Sequence, residues 1–256
     1  MIRELLRKIG LWPYLKYFKK KYFPSASQKE EERLIPERIS FYQQFIEKGD
    51  LCFDVGANIG NRTEIFLKLG ARVVAIEPQK ECSKLLQLRF GNEITLVQQA
   101  LGSHSGDGTI FISDTAEISS LSKEWIDSVS KSRFKNSQWN KREEVKITTL
   151  DQVIEQNGYP KFCKIDVEGF EEEVLKGLSK PIPTISFEYT IPERLSSVMN
   201  CLELLSKLGY YECNYTIGET MNFESSQWLS KEKLIDEING LSENILFGDI
   251  YLRFRQ

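Results

Sequence analysis

The chain has 256 residues, of which 41% are hydrophobic and 28% charged, and its formal net charge is −3. This length suits one large domain with an appendage, whose core needs neither disulfides nor a structural metal. There is no apolar run of roughly 18 residues, which excludes a membrane-spanning helix. The first residues also lack the apolar run of a secretory signal, so none is expected.

The cysteines and the histidine argue against several kinds of site. The five cysteines are odd in number, widely spaced and without a C-x-x-C pair, so neither a zinc knuckle nor a redox dithiol is expected. A reduced, cytoplasmic setting is predicted. His104 is the only histidine, which excludes multi-histidine metal sites, and no G-x-S-x-G elbow accompanies it.

The N-terminal segment is strongly basic. Residues 1–24 hold seven lysines and arginines against one glutamate, a net charge of +6 that leaves −9 for the rest of the chain. Apolar residues at helical spacing predict an amphipathic extension over residues 1–35, ahead of a domain over 36–256. Residues 24–32 are polar and charged, which indicates a linker.

Two interpretations of residues 1–24 stay open. The segment either lies on an anionic membrane surface or packs on the domain or on a second subunit. We favour packing, because aromatic-rich helices bury well anywhere. Nucleic acid is not an expected partner, because the remainder of the chain is acidic.

From residue 50 onward, short apolar runs alternate with helical stretches. This alternation predicts an α/β fold with a doubly wound, mostly parallel sheet. The predicted strands cover residues 51–55, 72–77, 94–98, 161–167, 184–189, 210–215 and 248–254, and the predicted helices 36–48, 61–69, 79–90, 150–156, 171–177 and 193–208. Residues 109–113 and 145–149 alternate like paired antiparallel strands, and the long polar stretch between them indicates a binding loop or lid.

A glycine loop follows the first predicted strand, with the sequence DVGANIG at residues 54–60. Ligands of open parallel sheets bind at the carboxyl ends of strands, where Asp54 stands. Gly56 permits a sharp turn and a close approach to a ligand, and Gly60 permits close packing at the start of the next helix. The spacing disfavours a dinucleotide such as NAD, because Asn58 occupies the position of the second glycine.

Two further positions suit a nucleoside. Glu77 ends the second strand, where an acid can accept hydrogen bonds from two ribose hydroxyls. We favour this role over that of a plain surface acid, because it occurs together with the glycine loop. Ala100, just beyond the third strand, offers a small apolar surface for an adenine.

A pair of acids marks the candidate catalytic site. Asp166 and Glu168 stand two residues apart at a strand terminus, so their side chains leave on the same side of the pleat. Two neighbouring carboxylates repel each other, which raises the pKa of one or draws a cation between them. Either arrangement suits the acceptance of a proton from a substrate hydroxyl. Glu188 ends the next strand, and whether the three acids bind Mg²⁺ stays open.

Other polar residues have simpler interpretations. Glu171 and Glu172 are expected to be helix first-turn acids, which the helix dipole favours. The long insertion holds four candidates for an acceptor pocket, with capping serines and buried aromatic residues as the alternative: Ser119, Ser120, Trp125 and Trp139.

Taken as a series, these motifs resemble the FkbM family of S-adenosylmethionine-dependent methyltransferases. The resemblance covers roughly residues 50–190, through DVGANIG (54–60), VAIEP (74–78), QALG (99–102), TLD (149–151) and KIDVEGFE (164–171). It implies the class I methyltransferase fold, with a seven-stranded, mostly parallel sheet, an antiparallel last strand and helices on both faces. Here the fold would carry an inserted hairpin and loop segment and the N-terminal helical extension.

The resemblance also implies a cofactor and a reaction. S-adenosylmethionine would place its methionyl part on the loop 56–60, its ribose on Glu77 and its adenine near Ala100. The family's acceptors are mostly hydroxyls of sugars and natural products, so a small-molecule or glycan acceptor is expected. The expected catalytic residues are Asp166 and Glu168, and the expected cofactor-binding residues are Asp54, Gly56, Asn58, Gly60, Glu77 and Ala100.

Two other classes of function are weighed against this one. A nucleotide-binding oxidoreductase is disfavoured by the missing glycine of the loop. A non-catalytic, membrane-associated scaffold would use only the basic segment.

Overall fold

The computed structural model describes residues 6, 10–114, 116–241 and 243–255. Among the described residues, three helices of known bounds precede the first strand: α1 (Trp12–Tyr22), α2 (Ala26–Arg33) and α3 (Ile35–Tyr42). The linker prediction for residues 24–32 is therefore wrong, because α2 occupies most of it. Charged side chains of α2 support the helix through solvent-exposed and inter-helix pairs such as Arg38–Glu31, whose N–O distance is 2.7 Å. Residues 1–5 and 7–9 of the predicted amphipathic helix lie outside the described residues.

Strands and helices alternate from residue 51 onward. In chain order the strands are β1 (Leu51–Val55), β2 (Arg72–Ile76), β3 (Ile94–Val97), β4 (Ala100–Leu101), β5 (Gly106–Ile112), β6 (Lys141–Thr148), β7 (Phe162–Ile165), β8 (Thr184–Ile191), β9 (Tyr211–Tyr215) and β10 (Leu246–Phe254). The helices are α4 (Asn61–Lys68), α5 (Lys80–Phe90), α6 (Lys123–Val129), α7 (Leu150–Asn157), α8 (Glu171–Lys176), α9 (Leu195–Leu208) and α10 (Lys231–Leu241). Short 3₁₀ turns cover Gly91–Glu93 and Ala116–Ile118.

The main sheet has seven strands in the order β3-β2-β1-β7-β8-β10-β9. Strand β10 pairs antiparallel with β8 and β9, and the other neighbours pair in parallel. This is the predicted class I methyltransferase sheet, which is thereby confirmed. The chain runs outward from β1 to β3 and then returns to place β7 on the other side of β1. Ligands bind at such a reversal, above the carboxyl ends of the two strands.

The core forms on both faces of this sheet. Every residue of β1 and β7 is buried, as expected for central parallel strands covered by helices on both sides. One apolar cluster includes Phe53, Ile165 and Phe187, and a second, on the other face, includes Phe66, Phe162 and Tyr251. All five cysteines are buried and free. Within the described residues, no helix is both long and apolar enough to span a bilayer.

The insertion forms a small sheet of its own, in the order β4-β6-β5. Strands β5 and β6 pair antiparallel with Thr109 opposite Glu144, so the predicted hairpin is confirmed. The polar stretch between them is more structured than a loop, because it contains α6. Ser122 caps this helix by accepting a hydrogen bond from the N–H of Trp125 at 3.1 Å, and the Trp125 ring is fully buried.

Differences from the prediction occur mainly at the ends of the chain. Helix α3 ends at Tyr42 instead of continuing to residue 48, and α10 was not predicted. The boundary between an extension and a domain at residues 35 and 36 stays a prediction, and it falls at the start of α3.

Candidate active site

A cavity of about 1180 Å³ lies above the carboxyl ends of the central strands. Its floor is the glycine loop after β1, in which Gly56 has a φ of +82°. A β-carbon built on Gly56 would lie 1.7 Å from the carbonyl oxygen of Asp166. Only glycine fits at this point, where the loops after β1 and β7 touch.

Glu77 joins the loops that follow β1 and β2. Its carboxylate accepts hydrogen bonds from the backbone N–H groups of Asn58 and Gln79, each at 2.8 Å. The side chain of Gln79 also forms a hydrogen bond with Glu77, and of the roughly four lone-pair sites of a carboxylate one stays open to a further donor. Burial raises the pKa of Glu77 to about 7, although the two N–H groups lower it. Asn58 has a φ of +48° and lies with Glu77 on the cavity wall.

Asp54 and Gly60 hold the glycine loop in different ways. Asp54 lines the cavity and accepts a hydrogen bond from the Thr63 hydroxyl at 2.5 Å. Gly60 is not among the residues that line the cavity. A β-carbon there would lie 2.4 Å from the ring of Phe90 and 2.8 Å from Leu86, so Gly60 lets α4 begin against α5, the packing role inferred from the sequence.

Ala100 lies on the cavity wall together with Ile76, Pro78 and Gln99. Ala100 belongs to the short strand β4, which pairs with Ile147 of β6. Apart from Gln99 the wall is therefore apolar, it is backed by the insertion, and it begins directly beside Glu77. A flat heterocycle beside a ribose suits this surface.

Three acids, two after β7 and one in β8, meet at the cavity. Carboxylate oxygens of Asp166, Glu168 and Glu188 lie within 4.8 Å of one another. Burial raises the pKa values of Glu168 and Glu188 well above the usual range, and the neighbouring carboxylates raise them further. Raised pKa values favour the protonated form, so these two carboxyl groups can hold a proton, and carboxylate oxygens are also the ligands that Mg²⁺ prefers.

Lys164 neutralises part of this negative charge from below. It is 2% exposed, and its Nζ donates to Asp166 at 2.9 Å and to Asp249 of β10 at 3.2 Å. Burial alone would lower the pKa of Lys164, but the two aspartates outweigh burial and hold it well above its usual value. The pairing fixes the Asp166 carboxylate at the edge of the cavity.

The backbone after Asp166 is held in an unusual conformation. Glu168 has a φ of +54°, and its carbonyl accepts a hydrogen bond from the Ser120 hydroxyl at 2.6 Å. Glu171 accepts hydrogen bonds from the N–H groups of Val167 and Gly169, both at 3.1 Å. Glu171 therefore holds the loop through its backbone, in line with the structural role expected for it.

The insertion contributes the outer wall. Ser119 and Trp125 line the cavity, whereas the buried Ser120 braces Glu168 and the indole of Trp139 donates to Ile118 at 2.7 Å. A β-carbon on Gly169 would overlap Trp125, which shows how closely α6 packs on the acidic loop. Two of the four predicted acceptor-pocket residues therefore lie at the cavity, and two support it.

Several charged residues at the cavity were missed by the sequence analysis. Arg62 of α4 pairs with Glu219, and Arg133 pairs with Glu193 at 2.9 Å. Their partners lie 157 and 60 residues away in sequence, and no local spacing indicates them. Both arginines line the cavity.

The site fits the cofactor that the sequence resemblance implies. Three features follow one another along the cavity. They are a loop where an added β-carbon at Gly56 would clash, the Glu77 carboxylate, which can accept a further hydrogen bond, and the adjoining wall at Ala100. With the sheet order, this arrangement defines a class I methyltransferase. A sequence model described as the methyltransferase FkbM domain matches residues 54–217. The chain therefore belongs to the FkbM methyltransferase family, whose methyl donor is S-adenosylmethionine, and the oxidoreductase and scaffold alternatives are set aside.

Individual proteins match the chain less strongly than the family model does. The hexuronic acid methyltransferase AglP of Haloferax volcanii is 29% identical over 146 residues, and the match spans 55% of each chain, about half the length of that relative. A precorrin-6y C5,15-methyltransferase from Geobacter metallireducens aligns with a TM-score of 0.46 at 11% identity, covering 87% of this chain and 88% of the other. Magnesium protoporphyrin IX methyltransferase from Synechocystis, solved with bound S-adenosylmethionine, aligns with a TM-score of 0.44 at 11% identity, covering 99% and 95%.

Proposed function

We propose that this methyltransferase methylates a hydroxyl oxygen of a sugar, a glycan or a related natural product. The observation that carries the proposal is the cluster of Asp166, Glu168 and Glu188, whose carboxylate oxygens lie within 4.8 Å of one another at the cavity. A hydroxyl is a weak nucleophile and needs a base beside it, which this cluster provides.

The cofactor would lie along the glycine loop. We assign Gly56 and Asn58 to its methionyl part, with Asp54 beneath them, Glu77 to the ribose hydroxyls and Ala100 to the adenine. When bound, S-adenosylmethionine supplies an electrophilic methyl group on its sulfonium sulfur. Because the backbone of Asp166 touches Gly56, the acids lie next to the methionyl end of the cofactor-binding loop.

In this proposal Asp166 accepts the hydroxyl proton, and Glu168 and Glu188 orient the acceptor. Lys164 holds the Asp166 carboxylate in place through their 2.9 Å contact. The remaining rate enhancement would come from holding the acceptor oxygen in line with the methyl group, since good alignment of reacting groups lowers the activation barrier by about 7–11 kcal/mol.

Two observations favour a sugar-type acceptor. The hydroxyls of a sugar can donate hydrogen bonds to the carboxyl oxygens of Asp166, Glu168 and Glu188, which lie within 4.8 Å of one another. The relative from Haloferax volcanii is described as a methyltransferase of hexuronic acid, which supports a sugar as the acceptor. The cytoplasmic location predicted from the cysteines remains a prediction.

Transfer of an isotopically labelled methyl group tests the proposal. Purified protein is incubated with labelled S-adenosylmethionine and fractionated cell extract, and products are analysed by mass spectrometry. A labelled methyl ether on a sugar or natural product is expected, and Glu77→Ala should abolish labelling. Label on nitrogen, sulfur or carbon would contradict O-methylation without contradicting methyl transfer.

The same cluster could bind a divalent cation that activates the hydroxyl in place of a free base. Repeating the labelling experiment after treatment with EDTA distinguishes a general base from a bound cation. Retained transfer supports the general base, whereas loss of transfer and its restoration by Mg²⁺ would assign the three carboxylates to a cation.

A further inference from the structure

Helix α1 turns an apolar face toward solvent. Successive residues of an α-helix are rotated by about 100° around its axis. This rotation places Leu11, Leu15, Phe18 and Tyr22 within an arc of about 60°. These four side chains are 49%, 46%, 52% and 56% exposed. Of the ten exposed large apolar side chains in the described part of the chain, six lie between residues 11 and 23. We call Leu11, Leu15, Phe18 and Tyr22 the outer stripe.

The opposite side of α1 holds the helix on the domain. Pro13 is buried there, and Lys16 forms a 2.7 Å ion pair with Glu81 of α5. Nearer the outer stripe, the centre of the Tyr14 ring lies 5.5 Å from Lys84 of α5. The packing expected from the sequence therefore exists, but it leaves the outer stripe about half exposed, and Lys21 of the same helix lies 5.6 Å from the centre of the Tyr22 ring.

Basic side chains flank the outer stripe. Lys19 and Lys21 are exposed and project roughly 70–90° to either side of its centre. Residues 1–24 carry a net charge of +6, against −9 for the rest of the chain. Lys19 and Lys21 give this face a positive charge that complements an anionic surface, whereas two copies paired through the same face would bring lysine against lysine.

We propose that α1 docks the protein on an anionic membrane surface, with the outer stripe in the headgroup region and the two lysines at the lipid phosphates. Exposed apolar groups between basic ones are the pattern of helices that lie in the membrane interface. Tyr17 and Lys21 of α1 also line the cavity. The cavity would thus open beside the bilayer, within reach of an acceptor carried on a lipid.

Vesicle sedimentation with the full chain tests the docking, independently of methyl transfer. The wild type should bind phosphatidylcholine vesicles containing phosphatidylglycerol at least tenfold more tightly than pure phosphatidylcholine vesicles. Leu15→Glu/Phe18→Glu should lose this binding by tenfold or more. Ile245→Glu, which changes a side chain that is 61% exposed outside α1, should bind as the wild type does. Circular dichroism and thermal melting confirm that each variant is folded.

A second pair of variants tests how much the lysines contribute to membrane binding. Lys19→Glu/Lys21→Glu should weaken binding by about fivefold or more for each lysine, because a basic residue near an anionic bilayer contributes about that factor. Lys180→Glu/Lys233→Glu makes the same charge change at exposed positions outside α1 and should bind more tightly than the variant in α1. Equal affinity for neutral and anionic vesicles would overturn the proposal. The proposal would also be overturned if the wild type formed a dimer, Leu15→Glu/Phe18→Glu dissociated that dimer, and the wild type did not bind vesicles.

Discussion

Gly56 and Asp166 lie back to back, with no room for a side chain between them. A β-carbon on Gly56 would lie 1.7 Å from the Asp166 carbonyl oxygen and 2.8 Å from its carbonyl carbon. Residues 110 positions apart in sequence thus connect the proposed cofactor loop to the proposed base. Displacing either loop would move both functions together.

Gly56→Ala tests this contact. The new methyl group must push the Asp166 backbone away, and alanine is also strained at a φ of +82°. The expected loss in the free energy of unfolding is about 3 kcal/mol or more, from overpacking and backbone strain together. Urea unfolding measures this loss, and calorimetry should show loss of S-adenosylmethionine binding.

Gly49→Ala is the matched control for Gly56→Ala. Gly49 has a φ of +91°, and a β-carbon added there would meet nothing within 4 Å, so only the conformational strain of about 1–2 kcal/mol should appear. Equal losses in the two variants would show that the contact with Asp166 is unimportant.

Glu77 should make cofactor binding depend on pH. Its pKa of about 7 means that the free protein holds this proton below pH 7, whereas ribose hydroxyls donate to the ionised carboxylate. Affinity for S-adenosylmethionine should therefore rise between pH 6 and pH 8. Glu77→Gln should remove this dependence and weaken binding at pH 8 by about tenfold or more, as expected for a hydrogen bond to a charged group. A pH dependence that survives Glu77→Gln would contradict the assignment.

The same group should destabilise the protein at high pH. The pKa is raised from 4.5, so between about pH 4.5 and pH 7 the native state binds more protons than the unfolded state. Its contribution to stability is therefore present at low pH and is lost as the pH rises through 7. The difference in unfolding free energy between wild type and Glu77→Gln, measured in urea, should shift in favour of the variant between pH 5 and pH 8.

Asp166→Asn should separate chemistry from cofactor binding. Removing a general base lowers the rate by about 10²–10⁴-fold, while affinity for S-adenosylmethionine should stay within about twofold. Labelled methyl transfer into the active extract fraction measures the rate. Glu173→Gln removes one negative charge from α8, where Glu173 pairs with Lys176 at 2.7 Å, and should keep full activity. Full turnover by Asp166→Asn would end the role proposed for this residue.

Arg133 should anchor the insertion to the main sheet. Its guanidinium pairs with Glu193 at 2.9 Å and donates to the carbonyls of Ile191 and Leu246 at 3.2 and 3.0 Å. Both partners of the ion pair are largely buried, so Arg133→Met should lower the free energy of unfolding by about 3–5 kcal/mol. Lys146→Met removes the exposed ion pair with Asp107 and should cost at most about 1 kcal/mol. Similar losses in urea unfolding would contradict the anchoring role.

The central elements were predictable because their signals are local. Apolar runs in β1, β2 and β7 are bounded by glycine, proline or charged residues, and each motif stands where a strand ends. Strand ends of a parallel sheet meet at one edge, so Asp54, Glu77 and Asp166 were expected to share a site before their distances were known.

Helices α2, α6 and α10 were less predictable. Helix α2 is strongly polar and α6 has only seven residues, so neither shows a clear apolar periodicity. Helix α10 does place Leu234, Ile238 and Leu241 at helical spacing, and this signal was missed. In α6, the burial of Trp125 depends on the distant Gly169. A polar stretch around a single aromatic residue does not indicate such a contact.

The sequence by itself determined the strands of the main sheet and most of the helices between them, the glycine loop and the acids at the strand ends, because periodicity, turns and strand termini are properties of neighbouring residues. Only the tertiary structure decided that Lys164 is shared between Asp166 and Asp249, that Glu188 joins the acidic cluster and that the apolar stripe of α1 faces outward. Charges and packing of this kind depend on distances between residues far apart in the chain, and the folded sheet sets those distances.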